Sequence, residues 1–396
     1  MVSRSLKTAC ISAAFFCLLS CAKQAKVPTA TGEFHYEVAR APAWTALFKR
    51  KQGWFGGDGI FTIPLSGVDS GVNDSTLFLF SDTMQGEIRD SVLLSGYTMV
   101  NNSVMILKGT GPDPAAATFL IHDRDKRPVS LFVPATPKTE QGDYFWLGDG
   151  LIDHTADSSL YIFAYRIRNT HDGGAFPFRE QGGALVIIPH GSKFPFRDQR
   201  QVDLPFSYQH QNPLSISLGA GVLVNTAGAG VPSPDGFMYV YGVRGRAKEL
   251  VAARVKPGAL ENFSSWEFRS ADGWTNDPKQ AAALADSVSN ELSVTPVGDN
   301  LYALIYQYHG ITPFIDMQIG PTPYGPFGPR MKIWDTTKDI RGEHLYTYNA
   351  KAHPALSKPG ELLVSYNVNS FKFEEQLRKM PDLYRPRFIK VIFNKK

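Results

Sequence analysis

Cysteine is almost missing from this chain. Its three thiols, Cys10, Cys17 and Cys21, all stand near the start, so no disulfide can form beyond residue 21 and the fold must rest on its core. Long apolar runs are missing too: the stretch over residues 9–19 is too short to cross a bilayer. No block of like charge occurs, and a net charge of +4 on 396 residues lacks the clustered Lys and Arg that nucleic-acid binding needs. Helix signals are confined to 277–285, with Asp277 as cap and Pro278 in the first turn, and 373–379. Without a helical layer, α/β folds are disfavoured. There is no His, Cys or carboxylate set with zinc-like spacing, and no phosphate loop, serine elbow or HExxH. Metal-dependent and triad chemistry are therefore unsupported; no cofactor is called for, and only a structural cation in a central channel is left open.

What is present begins with an address. Arg4 and Lys7 precede the short apolar run, which reads as a signal peptide over residues 1–20. The run ends in Leu18-Leu19-Ser20-Cys21, which resembles the lipobox of bacterial lipoproteins and implies lipidation at Cys21; a plain secretory signal cut elsewhere is the alternative. The expectation is an exported, outer-membrane lipoprotein that touches the membrane only through its lipid. Losing Arg4 and Lys7 with the leader leaves about +2. Residues 21–33, small and polar, read as a flexible tether, and 34–396 as one β domain, expected to be a monomer.

That domain is built from a recurring pair of strands. GWFGGDGIFTIPL is followed by TLFLFSDT, FWLGDGLI by SLYIFAYRI, SLGAGVLVN by FMYVYGVRG, SNELSVTPV by NLYALIYQYH, and NAKAHPAL by ELLVSYNVN. Each pair joins a small or polar strand to a wholly apolar one, as expected where the second strand is covered on both faces. Successive first strands are spaced by roughly 60–90 residues, which predicts an all-β fold, a five-bladed β-propeller whose first strands line a central pocket. The long loop NTHDGGAFPFREQGG reads as a pocket rim.

The side chains offered to that pocket are Asp58, Asp149, the Gly219-Ala220-Gly221 group, Glu291, and His353 with Asn349 and Lys351. Carboxylates converging from separate blades would raise one another's proton affinity, as glycoside hydrolysis requires of an acid and base pair. Asp58, Glu291 and Asp149 are accordingly the candidate catalytic set. Asp82 closes the first apolar strand, and Asn101 or Asn102 interrupts another at a cost unless paired; Asn102 is taken as pocket-facing. Trp54, Trp146 and Tyr308, with Tyr306 and Trp274, offer flat faces for sugar stacking, while Arg244 and His353 could hold a substrate oxygen. Each has a plainer reading. An Asp beside Gly is commonly a turn residue, Asp153 equally so; the rings suit blade packing, Arg244 a surface ion pair, and His353 a satisfied core position.

WFGGDG, LFLFSDT, NNSVMI, ELSV, IGPTPYGPFG, YNAKAHPALS and LLVSYN together resemble secreted bacterial proteins grouped as domains of unknown function 4185 and 5005, similar in turn to five-bladed propeller glycosidases of the arabinanase and xylosidase type. The resemblance spans about Phe48 to Phe393. It implies an acidic central pocket, with Asp58, Asp82, Asp149 and Glu291 at the matching positions, and carboxylate hydrolysis of arabinofuranosyl linkages in carbohydrate. The third unit departs from it, with Gly-Ala-Gly where those glycosidases often supply an acid. A non-catalytic glycan-binding lipoprotein of an uptake system, using the same pocket, is the rival reading.

Overall fold

The computed structural model describes residues 25–29, 32–69, 74–170, 172–174, 176–206 and 214–393. The all-β expectation holds. Most described residues in regular structure belong to five antiparallel meanders, each starting from one of the small or polar strands. Meander I is Phe61–Pro64, Ser75–Phe80, Ser103–Lys108 and Ala117–Leu120; meander II is Asp143–Ile152, Leu160–Asn169, Phe178–Ile188 and Arg200–Asp203. Meander III runs Ile216–Asn225, Phe237–Arg244, Glu249–Val255, Glu267–Arg269 and Trp274–Thr275; meander IV runs Leu292–Gly298, Leu301–Gln307, Phe314–Gly320 and Met331–Asp335. Meander V starts with Leu345–Ala352, Glu361–Ser370 and Arg387–Phe393, and then takes Gly32–Arg40 from the other end of the chain.

First strands of successive meanders lie side by side, and the turn Pro354–Leu356 after the last of them packs on Phe61–Pro64 of the first. A separate apolar cluster fills each space between sheets. Phe61, Leu77, Phe145 and Ile162 join I to II; Phe163, Leu185, Val240 and Trp266 join II to III. Tyr241 and Ala252, from the middle strands of III, pack with Leu304 and Tyr306 of IV. Ile305, Met317 and Val364 join IV to V, and Phe78, Phe80, Leu363 and Phe388 join V back to I. The apolar second strands are thus covered on both faces, the reason for their composition.

Three first strands carry a register irregularity at a corresponding point, between Leu147 and Gly150, Leu218 and Gly221, and Tyr348 and Lys351. An extra residue in a ladder re-aims side chains out of strict alternation. Asp149 sits in the first of these breaks.

The structure departs from sequence expectation at several points. Beyond Asp58 and Asp82 the first pair of strands continues into a further sheet, Gln52–Gly57 with Thr83–Arg89 and Thr98–Val100. The stretch expected as a tether includes strand Ala25–Thr29, paired with Gly32–Arg40; residues 1–24, with the signal peptide and Cys21, lie outside the described residues. Residues 373–379 form the expected helix. Around Asp277 only a short turn, Pro278–Gln280, forms, because the Ala282 N–H donates to the Arg269 carbonyl at 2.8 Å instead of continuing it; Asp277 does cap it, accepting from the Lys279 N–H at 3.0 Å. Among the described residues no helix is long and apolar enough to cross a membrane.

Candidate active site

Asp58 and Asp82 meet where the first two strands of meander I pass into the further sheet. The Asp58 N–H donates to the Asp82 carbonyl at 3.2 Å and the Ser81 N–H to the Asp58 carbonyl at 2.8 Å, so the backbone itself sets the two carboxyls beside each other. Asp58 Oδ2 accepts the Tyr348 hydroxyl at 2.7 Å, and Tyr384 also hydrogen-bonds this carboxylate. Its Oδ1 is buried without a protein partner among the described residues. Asp82 Oδ1 accepts from Trp146 Nε1 at 2.9 Å and Asn101 Nδ2 at 3.2 Å.

Lys351, from meander V, stands behind these acids. Its ammonium is ion-paired with Glu291, the residue before the first strand of meander IV, and its side chain is only 2% exposed. It also lies 4.3 Å from the centre of the Phe61 ring, and its charge reaches Asp58 and Asp149. Asp149 is held from both sides: Oδ1 accepts the Gly150 N–H at 2.9 Å and Oδ2 the Val222 N–H at 2.7 Å, the latter from the neighbouring meander. Carboxylates from meanders I, II and IV therefore share one cation. Burial dominates their proton affinities. It raises Asp58 against the pull of Tyr348 and Lys351, and lifts Asp82, Asp149 and Glu291 to about 7. Glu291 is pushed further in this direction by the charges of Asp58 and Asp149, and Lys351 opposes it.

An aromatic wall rises beside the acids. Trp146 contacts Phe178 at 4.6 Å and Tyr346 contacts Phe371 at 4.6 Å. Phe176, in the long loop of meander II, bridges the two groups at 6.0 Å from Phe178 and 6.2 Å from Phe371. Phe176 and Phe371 are 45% and 53% exposed, unusual for large apolar rings on a folded surface and suited to a flat apolar ligand face. The loop's expected place at the rim is consistent with these contacts.

The model of the family described as Domain of unknown function (DUF5005) matches residues 42–394. The chain belongs to that family. A crystal structure described as a "putative hydrolase" from Bacteroides ovatus ATCC 8483 is 22% identical, with 93% of each chain covered and a TM-score of 0.67, and shares the fold. Fainter likenesses are to the xylan β-1,4-xylosidase of Bacillus halodurans C-125, at 10% identity over 81% of this chain and 50% of that one, TM-score 0.43, and to the exo-β-1,3-galactanase of Phanerochaete chrysosporium with β-1,3-galactotriose, at 9% identity over 86% and 64%, TM-score 0.40. No curated protein matches the sequence.

In this DUF5005 chain several side chains expected at the pocket have other work. Trp54 is 1% exposed and packs at 4.9 Å against Phe119 and 5.2 Å against Phe80, which corrects its assignment to substrate. Asn102 is fully buried; its Nδ2 donates to the Phe132 and Phe145 carbonyls and its Oδ1 accepts the Phe132 N–H at 2.7 Å. The asparagine at the acids is Asn101. Arg244 pairs with Glu249 at 2.8 Å and donates to the Ala281 carbonyl, away from the acids. Tyr308 lies beneath the Arg330 guanidinium at 3.5 Å. His353 is wholly buried between Thr62 Oγ1 at 3.0 Å and Ser365 Oγ at 2.7 Å, a staple from meander V to I, and burial drives its proton affinity well below the ordinary value. Asp153 closes a turn, accepting from Thr155 and from the Gly258 N–H at 2.6 Å.

Tyr348, Tyr384 and Glu180 went unnoticed in the sequence. Glu180, from the third strand of meander II, accepts the Ser217 hydroxyl and has its proton affinity raised by burial to about 7. Its only signal was its place in the long loop's return strand. Among the described residues no group of His, Cys, Asp and Glu is arranged to hold a metal ion.

Carboxyls raised in this way leave a pH signature in stability. With Asp82, Asp149 and Glu291 at about 7, the folded chain holds protons that an unfolded chain, with carboxyls near about 4, has already released. Their contribution is full below about pH 4 and is lost as pH rises through about 7. Glu261, lowered by Arg200, and Asp382, lowered by Arg385 against the opposing effect of burial, act in the opposite sense, losing stability as pH falls through their depressed values. The urea midpoint is therefore expected to be higher at pH 5 than at pH 8, with a smaller difference in Glu291→Gln; equal differences in both proteins would contradict this.

Proposed function

We propose that the five meanders are the blades of a five-bladed propeller and that the chain is a glycoside hydrolase acting on a polysaccharide or oligosaccharide, with arabinofuranosyl linkages the first to test. The neighbouring first strands, the return of the last onto the first and the sharing of meander V between both ends of the chain support the architecture. The observation that carries the function is the convergence of Asp58, Asp149 and Glu291, from three sheets, on Lys351.

In this reading Asp58 is the general base. Burial raises its proton affinity, while two phenol donors on the carboxylate oppose that rise and fix its direction. Glu291 is the general acid, because a carboxyl near about 7 still carries a proton at neutral pH. Asp149 sustains that proton affinity by its charge, and Lys351 keeps the group from becoming too weak an acid. Asp82 and Trp146 hold a sugar against the aromatic wall. Export and lipidation at Cys21 complete the proposal, resting on the leader motif; labelling of wild type but not Cys21→Ser by a fatty acid checks that part.

The test is release of sugar from arabinan, xylan and galactan by the purified chain across pH. Hydrolysis of one of them is expected, with a rate that declines above about pH 7 as Glu291 loses its proton. Tight binding without release from any glycan would instead support the uptake-protein reading.

A further inference from the structure

The second strand of meander V, Glu361–Ser370, is buried over nearly all its length, yet its closing residues include two asparagines, Asn367 and Asn369. Two residues apart, they point to one face of the sheet. Asn367 is fully buried and its Nδ2 donates to the Gly57 carbonyl at 3.0 Å, which fixes the backbone immediately before Asp58. Asn369 stands opposite Tyr346 in the ladder and one diagonal step from Tyr348, a spacing within reach of an aromatic side chain. Its Nδ2 donates to the Tyr348 hydroxyl oxygen at 3.3 Å.

Chemistry fixes the direction of this contact. The Ser370 N–H, which can only donate, bonds to Asn369 Oδ1 at 2.7 Å, so the amide nitrogen is the end turned to the phenol. A phenol has one proton to give. With its oxygen already accepting from Asn369, the Tyr348 hydroxyl directs that proton to Asp58 Oδ2 at 2.7 Å. Three hydrogen bonds thus run in one sense, from the backbone at Ser370 to the carboxylate.

We propose that Asn369 is a positioning residue: acting only through Tyr348, it turns the phenol's proton to Asp58 Oδ2 and leaves Oδ1 as the basic oxygen of the carboxylate. The inference rests on the reading of Asp58 as the base of the site proposed above, although its test needs no hydrolysis. The titratable and charged groups around Asp58 are Tyr346, Tyr348 and Lys351 of meander V, Tyr384 from the loop before its third strand, Asp82 from meander I, and Glu291. A change at Asn369 alters none of them. Burial raises the proton affinity of Asp58 and the phenol donors oppose it, so a phenol free to turn away lets that affinity rise further.

Carboxyl ¹³C NMR of the full chain follows the Asp58 midpoint in wild type, Asn369→Ala and Asn369→Asp, each with Tyr348 intact and with Tyr348→Phe; circular dichroism is the control for folding. Asn369→Asp has nearly the same shape and still accepts the Ser370 N–H, so it keeps the strand end should Asn369→Ala disturb it. Tyr348→Phe is expected to raise the midpoint by about one pH unit, since a hydrogen bond to a charged group is lost. Asn369→Ala is expected to raise it by about 0.3 of a pH unit or more, and to add nothing once Tyr348→Phe is present. Asn369→Asp, which draws the phenol's proton to itself, is expected to raise it more with Tyr348 than without. An unmoved midpoint in a folded Asn369 variant, or a rise of the same size with and without Tyr348, would overturn the inference. Where wild type releases sugar, the acid limb of the pH–rate profile moves up with the Asp58 midpoint; the NMR result without any release of sugar upholds the inference and removes the hydrolase reading alone.

Discussion

Asp58→Asn is expected to cut glycan hydrolysis by about 10²–10⁴-fold, the usual contribution of a general base, while leaving the fold intact. The amide preserves the shape of the carboxylate, so Tyr348 can still donate to its oxygen as it now does to Oδ2 at 2.7 Å. What disappears is the basicity of Oδ1, the buried atom that no described protein group engages. Losing a negative charge next to Asp82 also lowers the proton affinity of that neighbour, a small effect beside the loss of the base. Initial rates on the susceptible glycan, with circular dichroism as the control for folding, decide the matter. Retention of more than about a tenth of the wild-type rate would remove Asp58 from the reaction.

Lys351→Met should produce the largest loss of stability, about 3–5 kcal/mol. Its side chain is 2% exposed and ion-paired with Glu291, and its charge also offsets burial at Asp58 and Asp149. Taking it away strands several buried carboxyls, each of which must then bind a proton or weaken the fold. The double variant Lys351→Met, Glu291→Gln should recover part of the loss by removing the stranded partner. Urea denaturation at pH 7 measures both; a single-variant loss under about 1 kcal/mol, the range of an exposed pair, would show that the cation does not organise the centre.

Much of this was legible in the residues. Strands such as Leu160–Asn169 and Leu301–Gln307 are apolar on both faces because sheets cover both, and that composition announces them. Asp58 and Asp82 were legible for a similar reason, lying at equivalent ends of adjacent, paired strands. The phase of side chains was not. Asn101 and Asn102 are consecutive, and only the tertiary contacts decide which meets Asp82 and which bonds to Phe132. Trp54 lies across a register shift between Trp54 and Gly56, so its nearness in sequence to Asp58 says nothing about its direction. Tyr384 reaches Asp58 from a loop and Glu180 stands on a third strand, positions that a reading confined to first strands passes over. The N-terminal strand's place in meander V is a pairing between the two ends of the chain, which no local pattern encodes.

The central claim is that Glu291 belongs to one electrostatic group with Asp58 and Asp149, and carboxyl ¹³C NMR titration of Glu291 tests it most directly. A midpoint near about 7 in the wild-type protein, moving lower in Asp58→Asn and in Asp149→Asn, is the predicted result. A midpoint at the ordinary glutamate value of about 4.3, unmoved by either substitution, would contradict the account.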